Sequence, residues 1–210
     1  MSSFETFLAF LLATSIFAYM PGPAMLYATA QTLARGQRAG WFAAFGIHIG
    51  GYVHVIAASF GLAILFKVVP ILYTTLKFAG AAYLIWLGYR MFTARASLDQ
   101  LPTDPTAKSP RRAFWESVTV EVLNPKTALF FVAFLPQFID PAANFPIWAQ
   151  LLVLGTIVNF MFSSADAACI LLADKIASRL RSSQSMPRWP QRVGGTILIG
   201  LGVKIALAKN

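Results

Sequence analysis

Charge is scarce in this chain of 210 residues. Asp, Glu, Lys and Arg together make up 12% of it, about half the share a soluble domain carries. With 57% hydrophobic residues and a mean hydropathy of +0.63, a water-soluble fold of this length would have to hide more apolar surface than its interior holds. Lipid is the expected solvent instead. Acids are scarcer than bases, 8 against 17. The resulting net charge of +9 is not read as a nucleic-acid footprint, because the bases sit in short loops between apolar runs and not on one polar face. There is one cysteine, Cys169, so no internal disulfide and no cysteine-based metal site is expected. Its place in an apolar run suits inert packing. The two histidines, His48 and His54, stand without other ligands at metal spacing, so no metal or other cofactor is expected. No glycine-rich run ends in Gly-Lys-Ser/Thr, which removes the usual nucleotide site. The first apolar run carries Glu5 where a cleaved signal peptide would have a basic region, so it is read as a retained span.

What is present is a series of six apolar segments, at residues 4–33, 41–66, 71–92, 112–138, 147–173 and 193–208. They are continuously apolar and lack the two-residue alternation of a lipid-facing strand. A helix satisfies its own backbone amides within lipid, so the expected fold is an all-α integral membrane protein with six transmembrane helices. Basic residues cluster after the first, third and fifth segments: Arg35 and Arg38; Arg90, Arg95, Lys108, Arg111 and Arg112; Lys175, Arg179, Arg181, Arg188 and Arg192. Lys67, Lys77, Lys204 and Lys209 fall on the other side. The positive-inside rule then puts the three basic loops in the cytoplasm and both termini outside. Residues 95–110, with Pro102, Pro105 and Pro110, read as a cytoplasmic linker. It divides residues 1–94 from 111–210, three spans from three. Because three is odd, the second half starts from the opposite face, and two halves of shared fold would form an inverted repeat.

The first span of each half is interrupted. Pro21-Gly22-Pro23 breaks one and Asn124-Pro125-Lys126 the other. Proline lacks a donor and clashes with the preceding turn, so both spans should kink or unwind there. Irregular backbone at membrane depth is tolerated beside protein or a water-filled cavity. A helix restarting at Pro23 or Pro125 would present a positive end suited to a carboxylate. A plain packing kink is the alternative.

These residues carry a resemblance. Pro21-Gly22-Pro23, then Gly46, Gly50, His54 and Gly61, then the run 76–88 from Leu76-Lys77-Phe78 through Gly80 and Tyr83 to Trp86-Leu87-Gly88, then Asn124-Pro125-Lys126-Thr127-Ala128-Leu129-Phe130-Phe131 and Pro136-Gln137-Phe138 resemble the lysine-exporter superfamily. Within it they resemble the threonine/homoserine-exporter type, over nearly the whole chain. The resemblance implies proton-motive-force-dependent export of amino acids across a bacterial inner membrane, with neutral or polar substrates such as threonine, homoserine or leucine ahead of lysine.

Several polar residues inside the spans are candidates for that work. Asn159, Ser163 and Asp166 are spaced to share one helix face. An aspartate near the bilayer centre costs on the order of 3 kcal/mol on insertion scales, so Asp166 should face the bundle, as a proton carrier or substrate contact, or as the partner of Lys126 or Arg90 in an ion pair. Lys126 is a candidate for a substrate carboxylate or for neutralising a fixed acid. Glu121, five residues earlier, does not share its face by helical spacing and could reach the cytoplasmic interface. His54 lies on a stripe with Gly46 and Gly50 that lets helices approach. It could relay protons or simply make an interhelical hydrogen bond. His48 falls on another face. Tyr83, Trp86 and Arg90 suit an interfacial anchor, and Gly194 and Gly202 suit packing or dimer contacts. Pro21, Gly22, Pro23, Asn124, Pro125, Lys126 and Asn159 are thus the expected substrate-binding residues. Asp166, His54 and Glu121 are the expected proton-coupling residues. The partners are a small amino acid, a proton, the bilayer and, as an option, a second copy of the chain. A membrane-embedded enzyme, which would need convergent catalytic groups, and a non-transporting assembly protein are the competing classes.

Overall fold

Apolar runs without charge fold here into helices, and every described element is helical. The computed structural model describes residues 4–69, 71–93, 110–173, 175 and 189–207. The helices are α1 (Phe4–Ala18), α2 (Pro23–Arg35), α3 (Gln37–Ile56), α4 (Ala63–Val68), α5 (Ile71–Thr93), α6 (Pro110–Val122), α7 (Pro125–Phe134), α8 (Ile147–Leu171) and α9 (Trp189–Leu207). A π-helical turn, Ala57–Leu62, joins α3 to α4, and a 3₁₀ turn, Leu135–Phe138, extends α7. Apart from Pro110, the expected linker lies outside the described residues.

Gln37–Phe66 and Ile147–Leu171 are long and apolar enough to cross a bilayer unaided. Two further spans arise if each bent pair counts as one, Phe4–Ala18 with Pro23–Arg35 at 49° and Arg111–Val122 with Pro125–Phe138 at 43°. The described residues therefore hold up to four candidate spans. α5 and α9 fall on the third and sixth apolar segments of the sequence.

Both bends sit where the prolines place them. α1 stops at Ala18, Gly22 takes an extended conformation, and Pro23 opens α2 at its first turn, where a missing N–H costs nothing. α6 stops at Val122. Asn124 is extended, its side chain accepts a bond from the Lys126 amide at 3.1 Å, and Pro125 opens α7. α2 ends at Gly36, whose φ of +81° favours glycine and turns the chain straight into α3.

Small residues set the closest contacts. A Cβ at Gly46 would lie 2.0 Å from Ser117 Oγ and 2.5 Å from the Phe114 carbonyl, and one at Gly50 would lie 2.9 Å from the Val118 carbonyl. The glycine stripe of α3 is thus the seat of α6. Gly202 does the same between α9 and α5, where a Cβ would lie 2.7 Å from the Ala81 carbonyl. Gly202 thus serves packing within the chain. Phenylalanines fill much of the buried core. Phe17 stacks on Phe130 with centroids 4.0 Å apart, Phe130 on Phe134 at 4.2 Å, and Phe134 meets Phe138 at 4.7 Å. Phe10 closes on both Phe134 and Phe138. On the outside, Phe45, Phe60, Leu129 and Phe160 are exposed, an arrangement that lipid satisfies and water would not.

Candidate functional site

The two helix breaks meet. At the first, α1 ends in a short turn in which the Met20 amide donates to the Phe17 carbonyl at 3.2 Å, and the chain then passes through Pro21 and Gly22, leaving carbonyls there with room for further donors. Lys126, from the second break, supplies donors: its Nζ donates to the Phe17 carbonyl at 3.2 Å and to the Met20 carbonyl. The ammonium also lies 4.5 Å from the centroid of the Phe17 ring. Gly22 makes room for this, since a Cβ there would come within 2.7 Å of Lys126 Cδ. Among the described residues Lys126 is not at ion-pair distance from an acid. The expected pair with Asp166 is replaced by carbonyl contacts, because the broken end of α1 offers acceptors nearer than the carboxylate.

Between the breaks lies a cavity of about 30 Å³, room for about two waters. Gly22, Asn124, Lys126, Asn159, Ser163, Asp166 and Glu121 all line it, with Ala18, Ala24, Met25, Ile47, Thr127 and Phe162. Glu121 and Lys126 face it together although five residues apart. Continuous helical spacing would separate them, but the chain breaks at Asn124 and bends by 43° between α6 and α7. Nor does Glu121 reach an interface: it is 3% exposed, and Asn124 Nδ2 donates to its Oε2 at 3.0 Å.

Asp166 is 4% exposed and stands on the α8 face expected from the sequence, with Asn159 and Ser163. Among the described residues no group donates a hydrogen bond to its carboxylate. The side chain of Arg90, the other expected partner, lies outside what is described. A buried carboxylate without a donor is costly, and this one opens on the cavity. Asn159 is held by donating Nδ2 to the His48 carbonyl at 3.0 Å. Ser163 Oγ donates to the Asn159 carbonyl at 2.9 Å and lies 2.6 Å from His48 Nδ1. Sequence spacing put His48 on another face. It is on another face of α3, and that face meets α8.

Not every expected residue reaches the cavity. Pro21, Pro23 and Pro125 are exposed and act on the backbone, by fixing the breaks. His54 is buried behind it, its Nε2 bonded to the Glu121 carbonyl at 2.8 Å, the interhelical bond weighed as its simpler role. Thr127, Met25, Ile47 and Phe162 are lining residues that sequence reasoning did not single out. Only Thr127, three residues beyond Asn124, had a local signal. Among the described residues no cluster of His, Cys, Asp and Glu could hold a metal ion.

On the cytoplasmic side expected from the basic loops, Tyr27 OH donates to Glu116 Oε2 at 3.2 Å, and Arg112 Nε lies 3.2 Å from Glu116 Oε1. The phenylalanine column meets the cavity at Phe162, 5.6 Å from Phe17 and 5.5 Å from Phe130.

Relatives align with this chain over nearly their full length. The chain is 32% identical over 210 residues to a homoserine/homoserine lactone efflux protein of Salmonella typhi, covering 99% of each. It is 28% identical over 206 residues to a leucine efflux protein of Klebsiella pneumoniae, covering 97% of this chain and 96% of that one. A membrane protein of Vibrio cholerae is 31% identical over 205 residues, 98% of each. No solved structure matches. The family model for LysE type translocators matches residues 15–209, a span that takes in both helix breaks and the whole cavity, and the chain belongs to that family.

Proposed function

We propose that this translocator exports amino acids from the bacterial cytoplasm across the inner membrane, driven by the proton motive force. The observation that carries the reading is Asp166: a buried carboxylate without a hydrogen-bond donor among the described residues, on a cavity formed where two broken helices meet. A carboxylate so placed can take a proton or a substrate ammonium, but not both at once. Competition of the two for one site is sufficient for exchange of one against the other, provided the cavity opens alternately to each side. The cradle is Gly22, Asn124, Lys126 and Asn159, with Pro21, Pro23 and Pro125 fixing its backbone. Lys126 shapes it by holding the end of α1, and its ammonium stands at the cavity edge where substrate oxygens would arrive. Glu121, with Asn124 on one oxygen, is the second acid near Asp166. His54 holds the backbone of Glu121 in place.

The architecture in this reading is six spans, with residues 1–94 and 111–210 as inverted halves and 95–110 as a cytoplasmic linker, both termini outside. Matching breaks in the first span of each half support it, as does the placement of the basic loops. A cavity of about 30 Å³ holds about two waters, so admitting an amino acid requires it to widen, by parting of the polar contacts near Glu116 or of the aromatic column. Relatives named for homoserine and leucine efflux support neutral substrates.

Dipeptide feeding tests this. Cells lacking their own exporters are loaded with dipeptides, peptidases release the amino acids inside, and each is followed as it leaves. Efflux that depends on the protein and collapses with a protonophore is the expected result. No protein-dependent efflux of any amino acid would defeat the reading.

A further inference from the structure

Two buried polar atoms of the first broken span have no hydrogen-bond partner among the described residues: Thr14 Oγ1 on α1 and Gln31 Oε1 on α2. Thr14 is 0% exposed and Gln31 8%. Hydroxyls inside helices ordinarily donate to their own backbone. Ser15, Thr29, Thr32 and Ser59 each bond the carbonyl four residues back, at 2.6–2.8 Å. Thr14 makes no such bond. A buried polar oxygen left unpaired is costly, and a valine would fill the Thr14 site with nearly the same shape and no such cost.

The two oxygens flank the cavity along one buried face. Ala18, the last residue of α1, and Ala24, in the first turn of α2, line the cavity. Thr14 is one turn beyond Ala18, about 6 Å along the helix axis. It shares a face of α1 with Phe10 and Phe17, two fully buried members of the phenylalanine column. Gln31 is two turns beyond Ala24, about 10 Å along α2. It is one turn from Tyr27 on the same buried face, and the Tyr27 hydroxyl donates to Glu116. The aromatic column and the contacts near Glu116 thus each hold one unpaired oxygen. In both places a passing group that donates hydrogen bonds finds an acceptor where apolar packing would offer none.

We infer that the substrate's path through the protein follows the buried face of α1 and α2, with Gln31 as its polar contact on the Glu116 side of the cavity and Thr14 as its polar contact on the phenylalanine side. The inference rests on the exporter reading and adds the route to it. Each oxygen accepts a hydrogen bond from the substrate ammonium as that group moves to or from Asp166. Contacts made only in passage raise the rate of crossing without tightening the complex at rest. That gain offsets the cost of keeping both oxygens unpaired in the state described.

The test uses the purified full-length chain in liposomes, with protein-free liposomes to subtract passive leak and with leucine, homoserine and threonine as probes. For each probe that the wild type exchanges, Thr14→Val and Gln31→Met should both lower the maximal rate about tenfold. Thr14→Ser, which keeps the hydroxyl, and Gln31→Glu, which keeps an acceptor oxygen, should stay within about threefold of the wild type. Thr14→Val should also melt in mild detergent at or above the wild-type midpoint, because it removes an unpaired group; a hydroxyl with a structural role would give the opposite. A wild-type rate from either Thr14→Val or Gln31→Met would overturn the inference and leave the exporter reading standing. So would a slowed Thr14→Val that melts below the wild type, or a Gln31→Glu as slow as Gln31→Met. A wild-type protein that exchanges none of the three probes would bring down the exporter reading and the inference with it.

Discussion

Gly22 lies directly beneath Lys126. A Cβ added to the glycine would stand 2.7 Å from Lys126 Cδ and 3.2 Å from its Nζ. These residues belong to the two separate helix breaks, and their contact is what makes one site of them. Gly22→Ala should push the lysine off the Phe17 and Met20 carbonyls. The side chain is flexible, so the fold should survive. Efflux should fall about tenfold, the loss of roughly 1.4 kcal/mol of positioning, at unchanged protein level in the membrane. Wild-type efflux from the alanine variant would show that the lysine's place does not matter.

Lys126→Met removes both bonds to α1 and the ring contact while keeping the aliphatic stem. A charge-assisted hydrogen bond contributes about 1.5–3 kcal/mol in soluble proteins, and interhelical bonds in membranes average nearer 0.6. A net cost of about 1–2 kcal/mol is expected. For a chain of this size that lowers the melting midpoint by roughly 2–8 °C, measurable by thermal unfolding in mild detergent. An unchanged midpoint would mean that water caps the α1 carbonyls as well as the lysine does.

Gly46→Ala meets Ser117 Oγ at 2.0 Å and the Phe114 carbonyl at 2.5 Å, and backbone cannot step aside cheaply. Overpacking of this kind costs about 1–3 kcal/mol. At Gly61, on the same stretch of chain, a Cβ meets nothing within 4 Å. Thermal unfolding of the two variants side by side should show a clear loss for Gly46→Ala and almost none for Gly61→Ala. Equal losses would contradict the reading of Gly46 as the seat of α6.

Topology gives a further check. A periplasm-sensitive reporter fused after Asn210 should be active, and one inserted within 95–110 should report the cytoplasm. The reverse pattern would invert the orientation, and matching signals from both would remove the odd number of spans between them.

The course of the chain was readable from apolar run length and from proline. The breaks at Pro21-Gly22-Pro23 and Asn124-Pro125-Lys126 are helix boundaries in the structure, and the helices do restart at Pro23 and Pro125. The shared face of Asn159, Ser163 and Asp166 was readable too, because α8 is one unbroken helix and spacing along it is geometry. Relationships across the breaks were not. Glu121 and Lys126 are kept apart by helical periodicity and brought together by a bend, and periodicity says nothing about bends. The bond from Lys126 to the Met20 carbonyl joins residues more than a hundred positions apart through a backbone atom, which carries no side-chain signature. His48 was undervalued for a related reason: its partner Ser163 is on α8, and which faces of α3 and α8 meet is decided by Gly51 packing on Asn159, a tertiary fact.

The central claim is that Asp166 couples the proton to the substrate, and dipeptide-fed efflux from cells carrying Asp166→Asn tests it most directly. The account predicts that efflux falls to the level of cells without the protein, at unchanged protein abundance, and that Asp166→Glu recovers part of it together with its sensitivity to a protonophore. Efflux from Asp166→Asn at the wild-type rate, still abolished by the protonophore, would contradict it.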